Sequence, residues 1–405
     1  MKSHFDMRLL FLTPQFPYPP HKGTTLRNYN IMAGLARQHT IDLLSFADDL
    51  AARPSSPLDR LCRRIATVPQ PKRPTSRRAF DTLLSPWPDM GLRLWSPDFY
   101  RQLAAWRSDG AYDVIQVEGL ELARYVLSER AQECIVFDDH NAEYLLQKRI
   151  AEAEIAARGW NAGALYSSIQ WRKLRRFERR VCRRADRVVC VSEADALALQ
   201  QIDLSLQPQV IPNGVDTEFY RREVITPLAL PPHSLVFTGT MDFRPNVDAM
   251  MWFAQEVLPE VKRAVPDVRL YIVGQRPHAR LDALRADPAI TITGAVDDTR
   301  PYTVAADAYV VPLRMGGGTR LKLLEAMALE APLVSTTLGA EGFAVKHGQE
   351  LLLADDAAAF AHAIEDLLTN RDQALRLGEA GRAFAVQYYD WQRIVPQFEE
   401  VYRAS

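Results

Sequence analysis

The chain has 405 residues, 49 Lys and Arg against 50 Asp and Glu, 47% hydrophobic residues and 24% charged ones. These proportions are those of a globular protein and exclude disorder, and the length points to two domains rather than one. No apolar run approaches the roughly 20 residues that span a bilayer, and a net charge of −1 without a recurring basic–aromatic platform argues against nucleic acid as a partner.

In chain order, the apolar runs that read as buried parallel strands are 9–12, 41–46, 114–117, 135–137 and 188–191. The segment from Met7 to Pro14 is too short for a signal-peptide core and reads as the first strand, with the six residues before it dispensable. Helical patterns intervene, around 28–37 and in one long stretch from 142 to 187. A second series follows at 235–237, 270–273, 290–292, 309–312, 333–335 and 351–353, separated by amphipathic patterns such as 247–265 and 357–368. The last segment, 390–405, reads as a helix with aromatic anchors Trp391, Phe398 and Tyr402. Strand–helix alternation repeated twice predicts two doubly wound α/β domains. Pro212-Asn213-Gly214 punctuates the chain between them. The charge divides there too: 30 basic against 24 acidic residues up to Val215, and 19 against 26 beyond it. The expected domains are 1–215, 216–388 and a closing helix, 389–405, that packs back on the first. Cys62, Cys134, Cys182 and Cys190 show neither metal-binding nor redox spacing, which fits free thiols in a cytoplasmic protein.

The stretch Gly316-Gly317-Gly318-Thr319-Arg320-Leu321-Lys322-Leu323-Leu324-Glu325 carries the most chemistry. Backbone N–H groups freed by glycine, the exposed donors of a helix start and two cations all favour a phosphate or diphosphate. A helix N-terminus disfavours cations by about 0.3–1 kcal/mol each, so Arg320 and Lys322 are best explained by an anion beside them. Glu325 suits sugar hydroxyls. Further along the chain, His140 lies in Asp138-Asp139-His140-Asn141-Ala142-Glu143, directly after a buried strand, where α/β sites collect. Asp139, Asn141 and Glu143 are candidates to orient it. Gly23, in a loop with His21 and Lys22 after the first strand, permits close backbone approach. The run 171–184 is strongly basic. It reads either as a packed helix with a basic outer face or as a docking element for anionic lipid, across 171–187.

Phe16-Pro17-Tyr18-Pro19-Pro20-His21-Lys22-Gly23, Val210-Ile211-Pro212-Asn213-Gly214-Val215-Asp216, Leu270-Tyr271-Ile272-Val273-Gly274 and Leu324-Glu325-Ala326-Met327-Ala328 occur in this order. Together they resemble a retaining glycosyltransferase of family 4, of the exopolysaccharide or surface-glycan type. The resemblance implies the GT-B fold, with two Rossmann-like domains facing across a cleft. It implies a UDP- or GDP-sugar donor, a glycan or lipid-linked acceptor, no cofactor and no metal, and a cytoplasmic location, peripheral at the inner face of the plasma membrane. His140, Arg320 and Lys322 take the catalytic positions. Gly23, Thr240, Arg244, Asn246, Gly274, Gly317, Gly318, Thr319, Leu321 and Glu325 fall at donor-binding positions, with Glu325 on the ribose. The chain also departs from the family pattern. Eight residues before Glu325 stands Gly317, so the first carboxylate of the Glu-x7-Glu motif is missing. Thr240 stands where Arg is expected, and Asn246 falls near the expected Lys, so Arg320 and Lys322 are the candidates to supply the lost charge.

The mechanism implied is departure of a nucleoside diphosphate, its charge met by Arg320, Lys322, the 317–319 amides and Arg244. The acceptor attacks on the same face, and closure of the domains excludes water. A nucleotide-sugar 2-epimerase is the alternative, distinguished by solvent deuterium entering sugar C2 without acceptor. A non-catalytic sugar-nucleotide-binding relative is a third reading, excluded by any slow donor hydrolysis. A dinucleotide dehydrogenase is disfavoured, since neither domain has GxGxxG after its first strand.

Overall fold

The computed structural model describes residues 6–20, 23–47, 55–127, 132–316 and 320–403, with the side chains of 157 and 158 left aside. The chain divides into two compact units: unit 1 comprises Met1–Pro212 and Ile394–Ser405, and unit 2 comprises Asn213–Arg393.

Unit 1 is built on β1 (Arg8–Thr13), β2 (Thr40–Ala47), β3 (Cys62–Pro69), β4 (Val114–Glu118), β5 (Cys134–Asp139), β6 (Arg187–Cys190) and β7 (Gln209–Val210). They form one sheet in the order β3-β2-β1-β4-β5-β6-β7, and every pairing is parallel. Leu9, Leu10, Phe11 and Leu12 are fully buried, as expected of a central strand covered on both faces. The helices that matter below are α1 (Gly23–Leu35), α2 (Thr75–Leu84), α3 (Glu143–Arg158) and α4 (Ala162–Arg184). The single helix expected from 142 to 187 is thus two. Gly159, at φ +65°, ends the first. Asn161 starts the second, its Oδ1 accepting from the N–H groups of Gly163 and Ala164 at 2.9 and 3.1 Å.

Unit 2 carries β8 (Ser234–Thr238), β9 (Arg269–Val273), β10 (Ile290–Gly294), β11 (Ala308–Val311), β12 (Leu333–Ser335) and β13 (Leu352–Leu353). Their order is β10-β9-β8-β11-β12-β13, again parallel throughout. In both sheets the strand order reverses once, between β1 and β4 and between β8 and β11. In an open α/β sheet such a switch point leaves a crevice at the strand C-termini. Helix α5 (Leu321–Ala328) follows β11, and α6 (Trp391–Arg403) closes the described chain. From Ile394 onward α6 belongs to unit 1, where Ile394 and Phe398 are fully buried. The expected α/β class with two Rossmann-like sheets is therefore the observed one.

Candidate active site

In unit 1 the polar centre lies at the C-terminal ends of β1, β4 and β5. A cavity of about 390 Å³ opens there, lined by Pro14, Thr24, Gly119, Asp139, His140 and Glu143 among others. Glu118 closes β4 and is fully buried. Its Oε2 lies 2.8 Å from Nε2 of His140, and its Oε1 accepts from the Gln116 amide at 3.0 Å. Gln116 in turn accepts from the Tyr402 hydroxyl at 3.2 Å. Asn28 also donates to Glu118, at 2.8 Å with its amide oriented to match its neighbours. Beside this chain Arg27 grips Asp138 with two bonds of 2.9 and 3.1 Å. It also donates to the carbonyls of Ile211 and Pro212.

The electrostatics follow from burial. Removal from water alone would weaken the His140 imidazolium, but the Glu118 hydrogen bond and the Asp138 charge outweigh it and raise its pKa. Burial, and then Asp138, push Glu118 up. Glu118, Asp138 and His140 bring ligand atoms within 4.8 Å of one another, a donor set suited to a metal ion. Both Asp138 oxygens are committed to Arg27, however, so the cluster works as a charge-compensated network that fixes the His140 ring. Asp139 is buried and close to Glu178 of α4. Burial, then Glu178 and Glu143, drive its pKa well up. Glu178 accepts from the N–H groups of Glu143 and Tyr144 at 2.7 and 3.0 Å. It caps α3 across the helix pair, because Ala142 at the N-cap has no side chain able to do so. Its own pKa is pushed up to about 8, chiefly by burial. Glu143 rises to about 7, from burial and then Glu121. Asn141 is half-buried on the cavity wall. Gly23 begins α1 and is exposed, and its neighbours His21 and Lys22 lie outside the described residues.

In unit 2 the polar centre lies at the end of β8. A Cβ on Gly274 would stand 1.7 Å from the Gly239 carbonyl, and one on Gly239 would meet the Lys322 ammonium at 2.7 Å. Two strand ends therefore approach so closely that only glycine fits. The Asn246 side chain donates to the Thr240 carbonyl at 2.9 Å and accepts from Lys322 at 3.0 Å. The Lys322 ammonium also sits 4.0 Å from the Phe237 ring centroid. It makes no ion pair among the described residues, and burial brings its pKa down to about 7. Three residues on, Glu325 is hydrogen-bonded by Tyr220, and burial raises its pKa despite that bond and the nearby Lys322 charge.

The structure thus gathers Thr240, Asn246, Gly274 and Lys322, and sets Glu325 one turn along the same helix. Arg320 is buried at the N-cap of α5, and a Cβ on Gly316 would lie 3.1 Å from its guanidinium. Leu321 is half-buried at the first helical position. Arg244 is exposed at the start of its own helix. Gly317, Gly318 and Thr319 lie outside the described residues. Sequence reasoning missed Glu118, Gln116, Arg27, Asn28 and Tyr220. The available signal was Glu118 itself, a carboxylate that closes a fully buried strand and is followed by glycine.

Two parallel Rossmann-like sheets with these paired polar centres define the GT-B class. Solved structures agree over nearly the whole chain. A sucrose-phosphate synthase from Thermosynechococcus elongatus superposes with a TM-score of 0.71 at 20% identity, covering 98% of each chain. Anabaena HepE, crystallised with UDP and glucose, gives 0.66 at 17% identity, covering 98% of this chain and 100% of that one. Residues 22–219 match the "Glycosyltransferase Family 4" model and 232–370 the "Glycosyl transferases group 1" model. The fold is thus GT-B, with a glycosyltransferase family 4 model matching the first part of the chain and a glycosyltransferase group 1 model the second. A GDP-mannose-dependent phosphatidylinositol monomannoside mannosyltransferase of Mycobacterium tuberculosis is 26% identical over 222 residues, 49% of this chain and 56% of that protein. The phosphatidyl-myo-inositol mannosyltransferase of Mycobacterium leprae is 34% identical over 153 residues, 36% of this chain and 41% of that one. The chain spans about half the length of the curated relatives it matches. Among the described residues no helix is long and apolar enough to cross a membrane.

Proposed function

We propose that this protein transfers a sugar from a nucleoside-diphosphate donor to a hydroxyl of a glycan or lipid-linked acceptor, with retention of configuration and without a metal. Unit 2 binds the donor, and the unit 1 cavity takes the acceptor. The observation that carries this reading is Lys322, a half-buried ammonium held on Asn246 against two glycine strand ends, with no carboxylate paired to it among the described residues. A cation kept beside open backbone and out of water suits an anion that arrives with the substrate.

In the reaction the bond from the anomeric carbon to the β-phosphate oxygen breaks as the acceptor oxygen bonds to the same face of the sugar. Negative charge grows on the departing diphosphate, and the acceptor proton passes to that phosphate. Lys322 and Arg320 meet the growing charge. Preorganised donors of this kind contribute about 10²–10³ in rate each. Glu325, steadied by Tyr220, takes the ribose hydroxyls. His140, fixed by Glu118, presents Nδ1 to the substrate in the cavity and donates a hydrogen bond as the imidazolium. The UDP and GDP-mannose chemistry of the relatives supports a nucleotide sugar as donor.

A thermal-shift panel of UDP-, GDP- and ADP-sugars tests the reading. A true donor at 100 times its Kd stabilises the protein by about 2.7 kcal/mol. If every nucleotide sugar leaves the melting temperature unmoved, the reading fails.

A further inference from the structure

Gly317 leaves the stretch before Glu325 without a second carboxylate, and the structure brings one in from the neighbouring strand end. The loop 336–343, which follows β12, is stitched to the segment that leads out of β11. The Thr336 N–H bonds the Val311 carbonyl at 3.2 Å, and the Thr336 hydroxyl donates to the Leu313 carbonyl. The Gly339 N–H donates to the Thr336 hydroxyl at 2.9 Å. A Cβ on Gly339 would stand 2.7 Å from the Val311 carbonyl oxygen, so only glycine lets the loop lie this close. Asp355, beyond β13, holds the same loop by accepting from the N–H and the hydroxyl of Thr337, both at 2.7 Å.

Glu341 is half-buried in this pinned loop. It borders a cavity of about 520 Å³ together with Leu338, Phe343 and Asp355. Burial weakens the Arg320 cation at the N-cap of α5, and the Glu341 charge works the other way. The Arg320 charge in turn acts on Lys322. Packing joins the same groups: a Cβ on Gly316 would meet the Arg320 guanidinium at 3.1 Å and the Pro245 ring at 3.2 Å. Pro245 precedes Asn246, which accepts from Lys322. By these couplings Glu325, Lys322, Arg320 and Glu341 form a row of carboxylate, cation, cation and carboxylate. A nucleotide sugar has the matching order of ribose hydroxyls, diphosphate and sugar hydroxyls. Carboxylates accept from hydroxyls, and the two cations between them suit the phosphates.

We propose that Glu341 recognises the donor sugar, accepting from its hydroxyls in place of the carboxylate absent at position 317. This role rests on unit 2 being the donor site. It moves the sugar contact from the glycine stretch to the loop after β12. Asp355 is the other carboxylate named on the cavity, but both its oxygens are engaged by Thr337, whereas Glu341 lies beside a cation of the phosphate site.

Two probes test the role: the nucleotide sugar that gives the largest thermal shift among UDP-, GDP- and ADP-sugars, and the nucleoside diphosphate it contains. Glu341→Gln and Glu341→Ala should bind the nucleotide sugar about 10- to 100-fold more weakly, as expected for hydrogen bonds to a charged acceptor, and should bind the nucleoside diphosphate as the unmodified protein does. Nucleotide sugars lacking one sugar hydroxyl should bind the unmodified protein more weakly where that hydroxyl meets Glu341. Glu341→Ala should then no longer tell them from the parent sugar. Glu341→Gln, which keeps the side-chain shape, carries the test if Glu341→Ala fails to fold. An equal loss for both probes would overturn the proposal and leave Glu341 as a support for Arg320 alone. Unchanged affinity for the nucleotide sugar would overturn it as well. If neither probe binds the unmodified protein, the donor reading of unit 2 fails, and this role with it.

Discussion

At the residue scale, Lys322 is the clearest case of a group whose cost is explained by a ligand. Its pKa of about 7 belongs to the empty site. A bound diphosphate favours the ammonium, so binding takes up a proton above pH 7, and nucleotide-sugar affinity falls by up to about tenfold per pH unit as pH rises from there. The diphosphate of a nucleotide sugar does not itself titrate in that range, so the effect reports the lysine. Lys322→Met should weaken binding by roughly 10- to 100-fold, the size of one charge-assisted bond of about 1.5–3 kcal/mol, and should flatten the pH dependence. Calorimetry in buffers of different ionisation heat reads both, and a pH-independent wild type would remove Lys322 from the site. Glu118→Gln should return His140 towards the ordinary histidine range. Imidazole NMR follows that titration directly, and an unmoved His140 pKa would break the proposed link.

Glu118 also marks where sequence reading stops. A carboxylate at the end of a buried strand reads as an exception, and its meaning comes from partners far along the chain, Asn28, His140 and, through Gln116, Tyr402. By contrast His140, Lys322 and Glu325 were legible, because local pattern alone puts them at strand ends or a helix start.

At the element scale, the central strands were legible for a simple reason: covered on both faces, they are continuous apolar runs. Edge strand β3 was not, because Arg63 and Arg64 interrupt it to pair with Asp42. Strand β7 has only two residues. The orientation of α2, which leaves Phe80, Leu83 and Leu84 exposed, was illegible as well, since its Phe and Leu residues would ordinarily be assigned to the core. The α3–α4 pair yields a pH prediction. Glu178 titrates at about 8 in the folded chain against an ordinary 4.5. With the folded pKa raised, the unfolded chain ionises first, so stability is highest below about pH 4.5 as far as Glu178 is concerned and declines as pH rises through 8. Glu143 and His140, both raised, act in the same direction. Urea unfolding should therefore show a loss on the order of a few kcal/mol between pH 5 and pH 8. Glu178→Gln should remove part of that slope while keeping an acceptor for the α3 N-terminus. A slope unchanged by the substitution would mean that Glu178 ionises freely in the fold.

At the scale of the whole molecule, the proposed function puts donor binding in unit 2 alone. Amide hydrogen exchange with a saturating nucleotide sugar should slow at the ends of β8 and β9 and in the first turn of α5. The core amides of β1, β4 and β5 should be unaffected by the same direct contact. Protection confined to the unit 1 cavity would reverse the assignment of donor and acceptor.

Unit 1 is discontinuous: Val395 packs against Gly34, Arg27 lies 5.3 Å from the Phe398 ring and Tyr402 bonds Gln116. This sets an order of events during synthesis. The first half of the chain leaves the ribosome early, but the side chains that complete its interior, from Ile394 to Tyr402, follow only after unit 2. Unit 2, contiguous from Asn213 to Arg393, is whole before unit 1 is. Nascent chains arrested with residue 393 just outside the exit tunnel should therefore hold a protease-resistant unit 2 beside a still cleavable unit 1, and release of the final helix should protect both. The ring of His140, whose partner Glu118 is tied through Gln116 to Tyr402, is thus settled only after unit 2 has been translated.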